Sequence, residues 1–509
     1  MKSNKGYKRF GIYLTGDTLV TVYSEMGIDI MDLISEKDMT LASVSRCLNM
    51  PASTVLYNIE DLEKKNLITS YRDGVDRRQI YYSINCVMIL SSLAIRNDVV
   101  VPKKAPSTES SEYSGGTFSC MMNYAFAIMM SYGMNTGYVA DNFGILIVDA
   151  MKDRFVGKSP AESMDIITNY LSESGMPGIT VASMEPLVIR ISLGYAVPRP
   201  MLKTLSCFMS IYCRVMWYCT GSAHSVEEMW SEDEDAVFRI VPDTVPAKPH
   251  INRDEPASIP ADFLVIADRN NVLRLIDSPV QIAILRSLER APGTLKSISS
   301  EIDFPKSTVS ANIDKMKWIH AIVKERGPSG AEIYKCCCTS LISGCPKSMH
   351  DAAAIDGLFQ AAVDNPRRFY ESMYKYSVSS FTSIGIDPSP LQRHLGRVVM
   401  RSNPETLENA SMDDVIASLC GYKSNHANWL NIESHLPLTL SSAEEYMGRI
   451  GGYEVIQFFI GCILETLHMS TGDDCVMRRH DNGITENGVP CFRIVLEPEE
   501  HFLRSLYTE

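Results

Sequence analysis

Two stretches 254 residues apart carry the side chains best placed for recognition chemistry. They are Pro51-Ala-Ser-Thr-Val-Leu-Tyr-Asn-Ile-Glu-Asp-Leu and Pro305-Lys-Ser-Thr-Val-Ser-Ala-Asn-Ile-Asp-Lys-Met. A proline, then hydroxyl residues, then apolar residues at helical spacing marks a helix start. Val55, Ile59 and Leu62 fall on one face, as do Val309, Ile313 and Met316. The opposite face offers Ala52, Ser53, Thr54 and Tyr57 in the first stretch, and Lys306, Ser307, Thr308, Ser310 and Lys315 in the second. Hydroxyls and lysines suit phosphate oxygens and base edges. Arg77 and Arg78 follow the first stretch in a charged turn, and Arg326 follows the second.

The fourteen cysteines are the second reactive set. Cys475 and Cys491 flank a polar segment, with Arg478 and Arg479 beside Cys475 to favour its thiolate. With Cys462 they are the redox candidates, and a disulfide between the first two requires Cα atoms within about 7 Å. Cys207, Cys213 and Cys219 lie on an apolar stretch, where cysteines are as a rule buried and inert. Cys336, Cys338 and Cys345 form a weak candidate set for a soft metal, since a strand turns Cys336 and Cys338 to one side. No Cys-x-x-Cys or nearby histidine completes a zinc site, so no metal is expected. The chain has no phosphate-binding glycine loop, nucleophile elbow or His-Glu-x-x-His, so it is not read as an enzyme. No cofactor is assigned beyond an unidentified small ligand.

The segments around these residues recur with the same offset. Leu19, Ser24, Ile28, Thr40 and Leu41 match Leu273, Ser278, Ile282, Thr294 and Leu295. Phe238-Arg-Ile-Val241 matches Phe492-Arg-Ile-Val495. The 509 residues therefore read as one unit written twice. Net charge is −13, yet residues 1–105 hold 14 basic and 12 acidic groups, and 255–350 hold 12 and 10. Basic groups thus concentrate where a polyanion footprint requires them. No apolar run approaches the roughly 20 residues of a membrane span, and no secretory core follows the basic N-terminus. A cytoplasmic protein with reduced thiols and no membrane partner is expected.

Residues 7–24 form a short strand or helix. Ile28 to Leu33 and Leu41 to Leu48 are amphipathic helices, the second capped by Thr40. The third helix runs from Pro51 to about Lys65. Strands 66–71 and 80–84 flank the charged turn 72–79. Domain limits follow: 1–96; a linker 97–118; 119–241; a proline-rich linker 242–260; 261–345; and 346–509. In 119–241, helices are expected at 138–155, 159–171 and 205–219, and strands at 179–183, 186–192 and 237–241. The counterparts in 346–509 are 391–401, 411–419, 430–440, 455–468 and 491–496.

Three helices and a charged hairpin, with Ser-Thr-Val-Ser-x-x-Ile-x-x-Met in the third helix, resemble the winged helix-turn-helix repressors of the ArsR and MarR type. The apolar helix, turn and Cys-Phe-Arg-Ile at 452–495 resemble the vinyl-reductase-like sensor domain. Joined, they are similar in architecture to the methanogen-specific regulators that carry this sensor domain, which points to an archaeal source. The resemblance implies an α+β fold of two winged helices alternating with two α+β sensor domains, the first sensor degenerate at Val237. It implies a transcriptional regulator of double-stranded DNA, controlled by redox state or a small ligand. A single chain then acts as a pseudo-dimer, or pairs as a homodimer, on an imperfect palindrome. The alternative is a ligand carrier or enzyme that uses its winged helices for assembly.

Overall fold

The computed structural model describes residues 9–16, 18–72, 78–95, 125–126, 128–176, 178–192, 205–232, 235–243, 262–270, 272–327, 330–345, 352–402, 430–435, 438–442, 452–471, 475–484 and 490–498. The fold is mixed α and β. The first half runs β1 (Gly11–Thr15), β2 (Thr18–Val22), α1 (Glu25–Glu36), β3 (Met39–Thr40), α2 (Leu41–Leu48), α3 (Ala52–Lys64), β4 (Ile68–Arg72), β5 (Ile80–Ile84) and β6 (Val87–Ile95). It continues with β7 (Tyr132–Met134), α4 (Gly137–Ala150), α5 (Pro160–Glu173), β8 (Ile179–Met184), β9 (Leu187–Ser192), α6 (Ser206–Thr220), β10 (His224–Glu232) and β11 (Asp235–Pro242). The second half opens with β12 (Leu264–Ala267), β13 (Leu273–Ile276), α7 (Pro279–Arg290), α8 (Leu295–Glu301), α9 (Lys306–Trp318), β14 (Ile322–Arg326), β15 (Glu332–Cys336) and β16 (Thr339–Gly344). After it come α10 (Ala352–Asp364), α11 (Phe369–Ser383), β17 (Ile386–Asp387), α12 (Ser389–Ser402), β18 (Leu430–His435), β19 (Leu438–Ser442), α13 (Gly452–Thr471), β20 (Cys475–Ile484) and β21 (Pro490–Pro498).

Local chemistry sets the helix boundaries. Thr40 Oγ1 accepts the Ser43 amide, and Thr294 Oγ1 accepts the Ser297 amide, so each hydroxyl satisfies an otherwise unmade donor. Left-handed residues punctuate both halves at the same places: Asn49 and Asp303 at φ 53° and 54°, Asn66 and His320 at 56° and 58°. Strand order matches as well. One sheet runs β2-β1-β6-β7 and another β13-β12-β16-β17; β10-β11-β9-β8 has its like in β20-β21-β19-β18.

The period of two along β1 has a large consequence. Ile12 and Leu14 face the central core, which also holds residues of α4, α6, α11 and α13; Tyr13 faces the core of α1, α2 and α3. Phe263, Val265 and Ala267 likewise face the central core, while Leu264 and Ile266 face the core of α7, α8 and α9. Each of these two sheets is therefore buried on both faces and ties a three-helix unit to one body. The halves meet inside that body. The Phe143 ring lies 5.4 Å from Phe359 and 5.2 Å from Phe369. Tyr170 donates its hydroxyl to the Ala362 carbonyl and Arg154 donates to the Val363 carbonyl, both at 3.0 Å. Tyr132 Oη lies 3.2 Å from His394 Nε2.

Some expectations need amendment. Residues 11–22 are a hairpin. Helices α10 and α11 have no counterpart among the expected elements, and they supply Phe359 and Phe369 to the joint core. The polar connection between Cys475 and Cys491 is mostly strand, β20 running to Ile484 and β21 starting at Pro490. The expected linker 97–118, all of 242–260 beyond 243, the segment 411–419 and Arg77 lie outside the described residues.

Two helix pairs cross at glycines. An added Cβ on Gly144 of α4 would run into the Cys207 carbonyl of α6. On Gly396 of α12 it would overlap the Phe458 carbonyl of α13, and on Gly461 of α13 the Arg393 carbonyl of α12. Gly461→Ala should thus destabilise the protein by about 1–3 kcal/mol or more, through overpacking against backbone that cannot yield. Gly357→Ala, where a Cβ meets nothing within 4 Å on an exposed helix face, should stabilise by up to about 1 kcal/mol. Chemical denaturation of the two variants checks the opposite signs.

His394 gives a pH signature. Burial, with Arg401 and Arg397 adding, pulls its pKa down to about 4. Between pH 6.5 and 4 the unfolded chain binds a proton that the folded chain refuses, so stability falls as pH falls through that window. His394→Gln should flatten this part of the stability profile relative to wild type, read from denaturation midpoints at about pH 7 and about pH 4.5.

Candidate nucleic-acid interface

Helices α3 and α9 each bury one face and leave the other open. Val55, Ile59 and Leu62 are buried in α3; Val309, Ile313 and Met316 are buried in α9. Ala52, Ser53 and Thr54 are exposed, and Tyr57 is 74 % exposed. Lys306, Ser307 and Lys315 are exposed; Thr308 and Ser310 are half-buried. Neither helix has an acid in its first turn, so the positive end of each dipole is unmasked. Anions bind readily at such a terminus.

The shared asparagine of the two stretches has a local job. Asn58 Nδ2 donates to the Thr54 carbonyl and Asn312 Nδ2 to the Thr308 carbonyl, both at 2.9 Å. Asn58 Oδ1 also lies 3.1 Å from Ser24 Oγ, and Asn312 Oδ1 accepts Gln281 at 3.1 Å. These amides brace the exposed helix against the first helix of its unit.

Charge separates the two helices. Toward its C-terminus α3 carries Glu60, Asp61 and Glu63 against Lys64, whereas α9 carries Lys306, Lys315 and Lys317 against Asp314. The units touch where Tyr23 donates to Asp277 at 3.4 Å. These two positions are themselves 254 apart, as residues near a twofold axis would be. Burial, with Asp277 adding, holds the Tyr23 hydroxyl up at about 12, so it remains a donor.

Each hairpin follows its helices and carries exposed charge near its turn. In the first, Tyr71 and Tyr81 stack with centroids 5.8 Å apart, the Tyr71 hydroxyl donates to Asp38, and Arg72 and Arg78 are exposed. In the second, Lys324 pairs with Glu332 and Lys335 with Glu325 across the strands, while Arg326 is exposed at the turn. The second hairpin is thus largely self-neutralised. Sequence reasoning passed over Arg72 and Trp318, the latter 68 % exposed at the end of α9.

The thiol candidates do not assemble. In the β20–β21 ladder Cys475 pairs with Pro498, and Cys491 pairs with Gly483. The extended strand from Cys491 to Pro498 spans roughly 23 Å, against the 7 Å or so that a disulfide tolerates. The expected Cys475–Cys491 switch is therefore ruled out in this fold: what reads as a flexible polar connection is an antiparallel ladder. Cys475 is half-buried against the central core. Cys462 is buried, 3.5 Å from the Gly396 carbonyl, and burial pushes its thiol up, away from the reactive thiolate. Cys207 is buried and shifted the same way. Cys336 Sγ and Cys338 Sγ lie 3.4 Å apart, and hydrogen bonding to Cys336 together with burial holds the Cys338 thiol up. Among the described residues no group of three or more His, Cys, Asp or Glu side chains could hold a metal, and Cys345 does not complete one with that pair.

Comparisons with known proteins return nothing: no family model, no curated protein and no solved structure matches this chain. Among the described residues no helix is long and apolar enough to cross a membrane.

Two thiol measurements follow. Oxidation of the native protein with diamide should give no Cys475–Cys491 cross-link by peptide mass mapping. A maleimide should label exposed Cys47 first and leave Cys207 and Cys462 unlabelled until the protein unfolds.

Proposed function

We propose that this chain is a DNA-binding transcriptional regulator, a tandem duplication of a winged helix-turn-helix and an α+β sensor domain. The observation that carries this reading is α9. Its lysines and hydroxyls stand on the face opposite three buried apolar residues, at an acid-free helix start, with a hairpin following. Helix α9 takes the major groove, Lys306 and Thr308 face base edges, and Lys315 faces phosphate. Helix α3 takes the second half-site with Ser53, Thr54 and Tyr57, at a spacing of about 34–36 Å. Its three acids and the lack of a lysine in its first turn make it the weaker reader, so the two half-sites differ. Control comes from a small ligand at a sensor domain, which acts only insofar as it favours one arrangement of the two units over another.

A second reading has its own support. The acidic α3 and the protruding Tyr57 also suit a contact with another protein, in which case the first unit serves assembly.

One titration separates them. Lys306→Ala with Lys315→Ala should weaken binding to the chain's own upstream DNA and lower the salt slope by roughly one unit per lost phosphate contact. Tyr57→Ala should weaken specific binding less and leave the slope unchanged. If the lysine variant binds DNA as wild type does, while Tyr57→Ala alters the oligomeric state in light scattering, the assembly reading prevails.

A further inference from the structure

The bend that joins β15 to β16 carries three consecutive cysteines, Cys336, Cys337 and Cys338. All three are half-buried, and Cys336 and Cys338 pack against the core of α7, α8 and α9. Cys336 Sγ and Cys338 Sγ lie 3.4 Å apart, in direct contact. Two residues of extended chain span at most about 7 Å. The bend at Cys338 shortens that span, so the two Cα atoms fall within the range a disulfide tolerates.

The matching bend of the first half separates the roles of the three. Ile84 pairs with Ile68 as Cys336 pairs with Ile322. The Asn85 amide then donates to the Leu67 carbonyl, as the Cys337 amide donates to the Ala321 carbonyl. Ile84-Asn85-Cys86 is thus the counterpart of Cys336-Cys337-Cys338. Asn85 Nδ2 donates to the carbonyl of left-handed Asn66 at 3.1 Å. Cys337 Sγ donates to the carbonyl of left-handed His320 at 3.2 Å. The middle cysteine therefore takes the place of an asparagine and braces the corner between α9 and β14. The outer two positions differ between the halves. The first half meets its helical core there with Ile84 and Cys86, so packing does not demand two sulfurs. The sulfur pair is peculiar to the second half.

The two outer sulfurs are not equivalent. Hydrogen bonding to Cys336 holds the Cys338 thiol up, with burial and Glu289 adding. Cys338 keeps its proton, and Cys336 is the sulfur that attacks first. Once Cys336 is bonded to another sulfur, the interaction that held Cys338 up is gone, and Cys338 is released to react in turn.

We propose that Cys336 and Cys338 form a reversible intramolecular disulfide, a redox-modification site that the first half lacks. The oxidant is a low-molecular-weight disulfide of the glutathione class. Cys336 Sγ attacks one of its sulfurs, its S–S bond breaks, and one thiol leaves with the Cys336 proton. Cys338 Sγ then attacks Cys336 Sγ, the mixed disulfide breaks, and the second thiol leaves with the Cys338 proton. Two protein thiols are oxidised and one reagent disulfide is reduced to two thiols. The ring closes at the foot of the hairpin, next to β16, the strand that pairs with β12. This inference goes beyond the regulatory reading above and does not depend on it.

The test incubates the full chain in oxidised or reduced glutathione and quenches free thiols with iodoacetamide. The denatured chain is then reduced and labelled with N-ethylmaleimide, so each cysteine reports its state by its tag. Trypsin cuts after Lys335 and Lys347, which places Cys336, Cys337, Cys338 and Cys345 in one peptide. After oxidised glutathione, Cys336 and Cys338 should carry maleimide, and Cys337 and Cys345 should carry the iodoacetamide tag. After reduced glutathione all four should carry the iodoacetamide tag. Cys338→Ser should halt at the first step and accumulate glutathione on Cys336, seen as the adduct mass when the second reduction is omitted. Should that variant fold poorly, the wild type alone decides. Iodoacetamide on both Cys336 and Cys338 after oxidation overturns the proposal. So does maleimide on Cys337 or Cys345 in place of either, a glutathione adduct that stays on wild-type Cys336, or a covalent dimer on a non-reducing gel.

Discussion

The constraint on which the molecule depends is the burial of two small sheets on both faces. Strand side chains alternate, so β1 can give Ile12 and Leu14 to one core and Tyr13 to another. The same holds for Val265 against Leu264 and Ile266 in β12. A slip of one residue would turn each set into the wrong core, so the register is strongly specified. Because one strand serves two cores, the placement of each three-helix unit follows the packing of the body. Displacing β1 or β12 costs apolar burial on two sides at once.

The body has a joint of unusual closeness. Aromatic rings of α10 and α11 from the second half reach Phe143 of α4 and Tyr170 of α5 in the first. The two halves therefore share a core and do not hang on a tether. Both helices α10 and α11 touch Phe143.

The two halves differ in charge more than in architecture. Strand orders, left-handed residues and helix caps coincide. An ion pair spans the central helices of each half with the charges exchanged, Asp149–Arg214 on one side and Arg401–Glu465 on the other. Such an exchange conserves the pair's attraction while altering the field each helix presents to its surroundings. Helices α3 and α9 differ similarly, one rich in acids and the other in lysines. The differences in charge lie where a charge is solvated or paired. The buried apolar positions of α3 and α9 share one spacing.

Features that depend on neighbours along the chain are legible in the sequence. Pro51 and Pro305 mark helix starts, Thr40 caps α2, and the apolar spacing of Val309, Ile313 and Met316 names the buried face, because caps and helical period act within a few residues. Cys336 and Cys338 were expected on one side for the same reason, and their sulfurs approach to 3.4 Å. The remainder depends on contacts between residues far apart in the chain. The strand register of β20 against β21 separates Cys475 from Cys491, which no local pattern could reveal. Helix α11 is buried nearly all round, Ser372, Lys375 and Ser379 included, and so lacks the one-sided apolar stripe that marks a surface helix. A cavity around Asp141 gathers residues from β6 to β11. Those residues are far apart in the chain, so no local pattern reveals that they share a wall.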